Sequence, residues 1–174
     1  MHHFYFDASA LVKRYTQETG SDKVNFLFDN IPLDRLMCSV LGAVEVFWVF
    51  VRKKNDRRIM VPDFAQAVVH LNREVIAENS DFTAILIHKS LIWASMNLIE
   101  THSLNSVDSI VLRSALEVAT LLRKAGDELV LVASDQRLIR AAQAEGILVF
   151  NPEIDSQEAL EVWVFDTSGR DDDC

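Results

Sequence analysis

Four acidic side chains carry the most legible chemistry in this 174-residue chain: Asp7, Glu45, Asp108 and Asp135. Asp7 and Asp135 follow apolar runs of β type, HFYF at residues 3–6 and LVLVA at residues 129–133. Asp108 lies near the start of a helical pattern. Each of these three has an ordinary reading as a helix cap, where a carboxylate satisfies free N–H groups and offsets the dipole. Glu45 is harder to place that way. It sits within LGAVEVFWVFV, residues 41–51, the most apolar helical stretch in the chain. A buried acid needs a partner, because an unpaired carboxylate away from water is costly enough to protonate instead. The partner is either an arginine, Arg14 or Arg113, or a metal ion shared with the other acids. Clustered hard oxygen donors without Cys or His fit magnesium or manganese, not zinc. Such a site suits hydrolysis of a phosphodiester, with bound cations activating water and stabilising the leaving oxygen.

The elements that must position these acids alternate. Strands are expected at residues 3–6, 36–40, 82–87, 129–133 and 147–150. Helices are expected to begin after Asp7, at Asp22, at Leu41, at Pro62, at Ser106 and at Gln136. A helix from Ser90 competes with the strand at 82–87. Gly126 and Gly146 close two of the helices. Another helix is expected over residues 156–164. This order predicts an α/β chain, an α/β/α sandwich with a mostly parallel central sheet. In such folds the working site lies off the carboxyl ends of the strands, so Asp7 and Asp135 are expected in one crevice.

Length and composition fit one domain at residues 1–152, followed by an acidic C-terminal extension of the same domain at 153–174. Only 5 Gly and 3 Pro leave little room for long linkers. Two cysteines, Cys38 and Cys174, make neither a disulfide framework nor a zinc site, which suggests a reducing, cytoplasmic setting. No leader pattern and no run long enough to span a bilayer is expected. The net charge of −9 argues against nucleic-acid binding through overall positive charge. It leaves open a nuclease that holds phosphate through cations and a local basic patch.

Four segments resemble the PIN domain family, and within it the VapC-type toxins of bacterial toxin–antitoxin pairs. YFDASALVKRY at residues 5–15 resembles the family's first strand and catalytic Asp. SVLGAVEV at 39–46 resembles the Ser or Thr preceding the helix that bears a Glu. LNSVDSIVL at 104–112 resembles the third motif. VASDQRLIRAA at 132–142, with GILVFNP at 146–152, resembles the fourth motif and final strand. Order, spacing and strand-end placement carry the resemblance, since no motif is specific alone. It implies a magnesium-dependent endoribonuclease with Asp7, Glu45, Asp108 and Asp135 as catalytic and metal-binding acids, and Ser9 and Ser134 as supporting residues. It also implies an RNA substrate, an antitoxin partner and a homodimer. Many relatives carry a further acid two residues after the fourth Asp, where Arg137 stands here; this favours one firmly held ion over two. A catalytically weak, RNA- or partner-binding PIN-like protein is the alternative. A phosphatase of the haloacid dehalogenase type would want an acid where Ser9 stands.

Residues 52–58 carry five positive charges against one negative, read either as a solvated helix end or as a track for RNA phosphates. Arg52 and Lys53 in that run, with Lys13 and Arg14 one turn beyond Asp7, are the candidate RNA contacts. The five histidines lack mutual metal spacing. The helix around Glu45 is apolar on all sides, which implies deep burial or a dimer interface.

Overall fold

The computed structural model describes residues 1–165; the acidic run at 171–173 and Cys174 lie outside the described residues. Five strands form one sheet: β1 (His2–Phe6), β2 (Leu36–Ser39), β3 (Thr83–Ile85), β4 (Glu128–Val132) and β5 (Leu148–Phe150). Their spatial order is β3-β2-β1-β4-β5, and all four pairings are parallel. The expected sandwich is therefore present, with a sheet that is wholly parallel among the described residues. The chain runs outward from β1 through β2 to β3, then returns to place β4 on the other side of β1. The β1/β4 junction is thus the switch point of the sheet, where the crossovers part to opposite sides and leave a crevice.

Strand alternation divides the core. Phe4, Phe6, Val130 and Val132 point into one apolar layer, under α1 (Ala8–Tyr15), α2 (Ser21–Asn30), α3 (Val40–Asn55) and α4 (Val61–Leu71). Tyr5, Leu129 and Leu131 point into the other. That second layer is covered by α5 (Lys89–Ala94), α6 (Met96–His102), α7 (Ser106–Lys124) and α8 (Gln136–Ala144). Central strands buried on both faces read as continuous apolar runs, which is why 129–133 was so clear in sequence. The region after Ile76 gave conflicting signals because β3 is short and sits at the sheet edge, with the helices α5 and α6 following it.

The last described helix, α9 (Gln157–Phe165), belongs to the folded body. Leu160 is fully buried, and the Trp163 ring meets Phe150 edge-on at 6.2 Å. No described helix is long and apolar enough to cross a membrane. Cys38 is buried in β2, and burial pushes its thiol up to about 12, so it stays protonated and unreactive at neutral pH.

Helix α3 departs from the expectation of burial on all sides. Val46 and Phe50 are buried, whereas Val44, Phe47 and Trp48 are 65%, 43% and 56% exposed. An apolar groove of about 360 Å³ opens beside this outer side, lined by Val40, Ala43, Val44, Phe47, Val75 and Ile76. The helix is buried on one side and exposed on the other, not buried all round.

Candidate active site

Asp7 is the first residue beyond β1 and the cap of α1. Its backbone N–H donates to the Val132 carbonyl at 3.0 Å, which fixes it against the neighbouring strand β4. The Asp7 Oδ2 atom accepts from the Ser9 amide at 2.9 Å and the Ser9 hydroxyl at 2.6 Å. Ser9 Oγ in turn accepts from the Ser134 amide at 2.9 Å. One hydroxyl therefore ties the ends of β1 and β4 together across the switch point. The helix-cap reading of Asp7 is correct. Asp7 is nearly fully buried, and burial raises its carboxyl; the Ser9 bonds oppose that rise, and the charge of Asp135 adds to it.

Asp135 has the same construction two residues later on the other strand. It caps α8, its Oδ1 accepting from the Arg137 and Leu138 amides at 2.8 and 3.0 Å. These capping bonds fall on a single oxygen of each aspartate, Oδ2 of Asp7 and Oδ1 of Asp135. A cap and a ligand function can coexist on such a carboxylate.

Asp108 does not cap its helix. Asn105 does, its side-chain oxygen accepting from the Val107 and Asp108 amides, both at 2.9 Å. The Asn105 amide nitrogen donates to Asp108 Oδ2 at 2.8 Å, orienting the acid rather than neutralising it. Half-burial, then the charges of Asp7 and Asp135, push the Asp108 carboxyl up to about 6, with Arg137 acting against the rise. The Asn three positions before the Asp is a helix-start signal that sequence reasoning passed over.

Glu45 projects from the second turn of α3. That helix starts on Ser39, whose hydroxyl accepts from Gly42 at 2.9 Å. Neither arginine considered as its partner reaches it. Arg14 is held by Glu74 through two bonds of 3.1 and 3.2 Å and lies over the Phe28 ring. Arg113 pairs with Glu117 at 3.1 Å. Glu45 makes no hydrogen bond or ion pair among the described residues. Burial, then the charges of Asp7 and Asp108, raise its carboxyl to about 7.

All four acids line one cavity of about 320 Å³ at the carboxyl ends of the strands. No three His, Cys, Asp or Glu side chains among the described residues close in as a ready-made metal-binding cluster. The acids instead face a shared space and repel one another across it. Ser134 also lines that space, and its hydroxyl is buried without a hydrogen-bond partner among the described residues.

The candidate RNA contacts separate. Lys13, Arg52 and Lys53 line the same cavity, joined by Arg58, which was not singled out individually. Arg14 lies in the polar contacts between α1, α2 and the segment after α4. Within the basic run, Arg52 stacks over Trp48 at 4.6 Å and Lys54 over Phe64 at 4.5 Å, while Lys53 is buried. The run is thus more than a solvated helix end.

The sheet, all-parallel among the described residues, with an acidic crevice at its switch point defines an open α/β fold class, and comparison of whole structures narrows it. No family profile matches the sequence, and no curated protein matches it by sequence. The fold matches several solved structures. The protein PAE2754 of Pyrobaculum aerophilum aligns with a TM-score of 0.57 at 21% identity, covering 93% of this chain and 94% of its own. VapC20 of Mycobacterium tuberculosis, a toxin that cleaves the sarcin–ricin loop, gives 0.56 at 14% identity, with 88% and 99% covered. A toxin–antitoxin complex from Klebsiella pneumoniae gives 0.51 at 19% identity, with 85% and 96% covered. The chain has the PIN-like, VapC-type fold over most of its length.

Proposed function

We propose that the protein is a magnesium- or manganese-dependent endoribonuclease, the toxin of a type II toxin–antitoxin pair acting in the cytoplasm. The observation that carries this reading is Glu45. A half-buried glutamate that makes no ion pair among the described residues, facing three aspartates brought from other elements, is a poor arrangement for stability alone. It becomes favourable when a cation enters. The fold shared with VapC20 and the Klebsiella toxin–antitoxin complex supports the same reading.

The donor set fits the cation. Four carboxylates without Cys or His suit a hard ion, and magnesium keeps several waters while using only one or two carboxylates, so a pre-closed cluster is not required. The buried Ser134 hydroxyl, lacking a partner among the described residues, suits an ion that arrives with its waters. Asp7, Glu45, Asp108 and Asp135 would hold it. A hydrated magnesium supplies Lewis-acid charge for a phosphate oxygen and a more acidic water. Ser9 and Asn105 keep Asp7 and Asp108 aimed into the cavity, and Lys13, Arg52 and Lys53, which line the same cavity, hold the RNA backbone.

A protein partner and a second copy are supported by the exposed apolar side of α3. Trp48 is both exposed there and part of the cavity wall, so a partner seated on α3 would also cover the acids. Arg137 is the observation that favours the catalytically weak alternative. Its positive charge acts on Asp108, where it competes with a cation for the same carboxylate.

Incubating total RNA with the protein, with and without magnesium, tests the proposal. Cleavage is expected only with the metal, and Asp7→Asn is expected to abolish it while leaving circular dichroism unchanged. Undiminished magnesium-dependent cleavage by that variant would overturn the site assignment. Absence of both cleavage and manganese binding in the wild-type protein, the latter read by calorimetry, would leave the alternative standing.

A further inference from the structure

Besides the acids, the same cavity is lined by a second set of charges with different construction. Lys13 and Lys53 are 3% and 5% exposed. Lys13 Nζ donates to Glu153 Oε1 at 2.6 Å and to Glu18 Oε2 at 3.4 Å. Lys53 Nζ donates to Thr16 Oγ1 at 2.7 Å and to Glu18 Oε1 in a close ion pair. Glu18 thus bridges both ammonium groups. Its partial burial works against its charge, yet the bonds and charges of Lys53 and Lys13 hold its carboxyl below the usual value.

The two glutamates are presented by segments locked to each other. Gly20 has φ of +85°, and a Cβ there would lie 2.4 Å from the Pro152 carbonyl oxygen, so only glycine allows this approach. Lys23 Nζ donates to that same carbonyl at 3.0 Å, and the Glu153 amide donates to Asn151 Oδ1 at 2.9 Å. The turn after β5 is therefore held against the loop between α1 and α2. The hold on the two carboxylates is unequal. Glu18 touches both lysines, whereas Glu153 makes one side-chain bond, and its side chain is 41% exposed against 29% for Glu18.

Two lysines and two glutamates sum to zero charge, which is what burial of lysine requires in the absence of ligand. A phosphodiester carries the same single negative charge as a carboxylate and offers the same kind of acceptor oxygens. Exchange of one for the other leaves the buried charge balance unaltered, and the cost of removing the lysines from water has already been met in folding. Resting on the ribonuclease reading above, we propose that Lys13 and Lys53 form a binding subsite for a backbone phosphate of single-stranded RNA. In the substrate-free protein the Glu153 carboxylate occupies the Lys13 side of this subsite, and the phosphate displaces it. Glu18 stays in place as the positioning residue that keeps both ammonium groups at the cavity wall. The phosphate bound there flanks the one that faces the four acids.

The test measures binding of a fluorescein-labelled 12-nucleotide RNA by anisotropy in EDTA, where no cleavage interferes. The proteins compared are wild type, Glu153→Gln, Lys13→Gln and Glu158→Gln, the last an exposed acid on α9 that controls for net charge. Glu153→Gln is expected to tighten binding by about threefold to tenfold, and Glu158→Gln to change it by less than about twofold. Lys13→Gln is expected to weaken binding and reduce the slope of log affinity against log salt by about 0.7, the value of one phosphate contact on a single strand. Unchanged or weaker binding by Glu153→Gln overturns the proposal, as does equal tightening by Glu158→Gln or no binding by any variant. Glu153 is at the surface, so this comparison stands even if Lys13→Gln fails to fold. Tightening by Glu153→Gln in a protein that cuts no RNA with magnesium would refute the nuclease reading and leave the subsite standing. Magnesium-dependent cutting with no effect of Glu153→Gln would do the reverse.

Discussion

The two walls of the cavity solve opposite problems with the same kinds of side chain. On the basic wall, Lys13 and Lys53 are buried and fully paired with Glu18, Glu153 and Thr16. On the acidic wall, Glu45 makes no ion pair among the described residues, and burial raises the carboxyls of Asp7, Glu45 and Asp108. The charge of Asp135 adds to the rise at Asp7, those of Asp7 and Asp108 to that at Glu45, and those of Asp7 and Asp135 to that at Asp108. One wall is neutralised at folding by opposite charges, and the carboxyls of the other are pushed toward their protonated forms. An unbalanced set of carboxylates lowers the stability of the empty protein and raises its affinity for a cation. The contrast between the walls therefore points to the acids as the place where an ion is expected, and to the lysines as a place where one anion replaces another.

Variants that disturb one wall at a time test this contrast. The largest effect after Asp7→Asn itself is expected from Ser9→Ala, which removes the hydroxyl linking the Asp7 carboxylate to the Ser134 amide. Loss of an orienting partner of this type costs about tenfold to hundredfold in metal affinity or activity. Full activity and full manganese affinity in Ser9→Ala would show that the acid wall needs no such support. Arg137→Asp is expected to act in the other direction. Replacing the cation that acts on Asp108 with an acid should strengthen manganese binding in calorimetry by about threefold to tenfold. Weaker binding would mean that Arg137 stabilises the acid cluster more than it competes with the metal.

The smallest effect is expected on stability. With a carboxyl raised from 4.5 to about 7, folded Glu45 retains a proton that the unfolded chain has released. Metal-free stability from this group is therefore greatest below about pH 4.5 and is lost as the pH rises through about 7. Glu45→Gln removes that loss. Its Tm at pH 8 in EDTA should exceed that of the wild type by about 2–4 °C, the shift produced by roughly 1 kcal/mol in a domain of this size. Saturating magnesium should reverse the order of the two proteins. A lower Tm for Glu45→Gln in EDTA would show that the charge of Glu45 is satisfied within the protein after all.

The strand and helix order could be read from the chain because most elements are strongly patterned. The central strand at 129–133, the helix over 106–124 and the stop at Gly126 are visible as apolar runs, periodicity and turn chemistry. The edge strand β3 was less clear because a short strand beside following helices gives overlapping signals. Asp7 and Asp135 were legible for a geometric reason, since any residue just past a central parallel strand falls at the switch point. Asp108 was not, because whether an acid at a helix start caps that helix depends on its neighbour. Asn105 takes the capping bonds here and leaves Asp108 facing the cavity. Sequence patterning likewise left Lys13, Arg14, Arg52 and Lys53 equivalent. Helical geometry turns Arg14 toward Glu74 and Lys13 toward the acids' cavity, though the two are adjacent in the chain.

The sequence by itself determined which residues are acids at strand ends, which segments are apolar on both sides, and hence the class of fold and the direction in which its site opens. Only the tertiary structure decided which carboxylates have partners. Pairing depends on side chains far apart in the chain, such as Lys13 with Glu153 or Arg14 with Glu74, and no local pattern encodes those distances. Glu45 was suspicious as a buried acid without an obvious partner, and it makes no hydrogen bond or ion pair among the described residues.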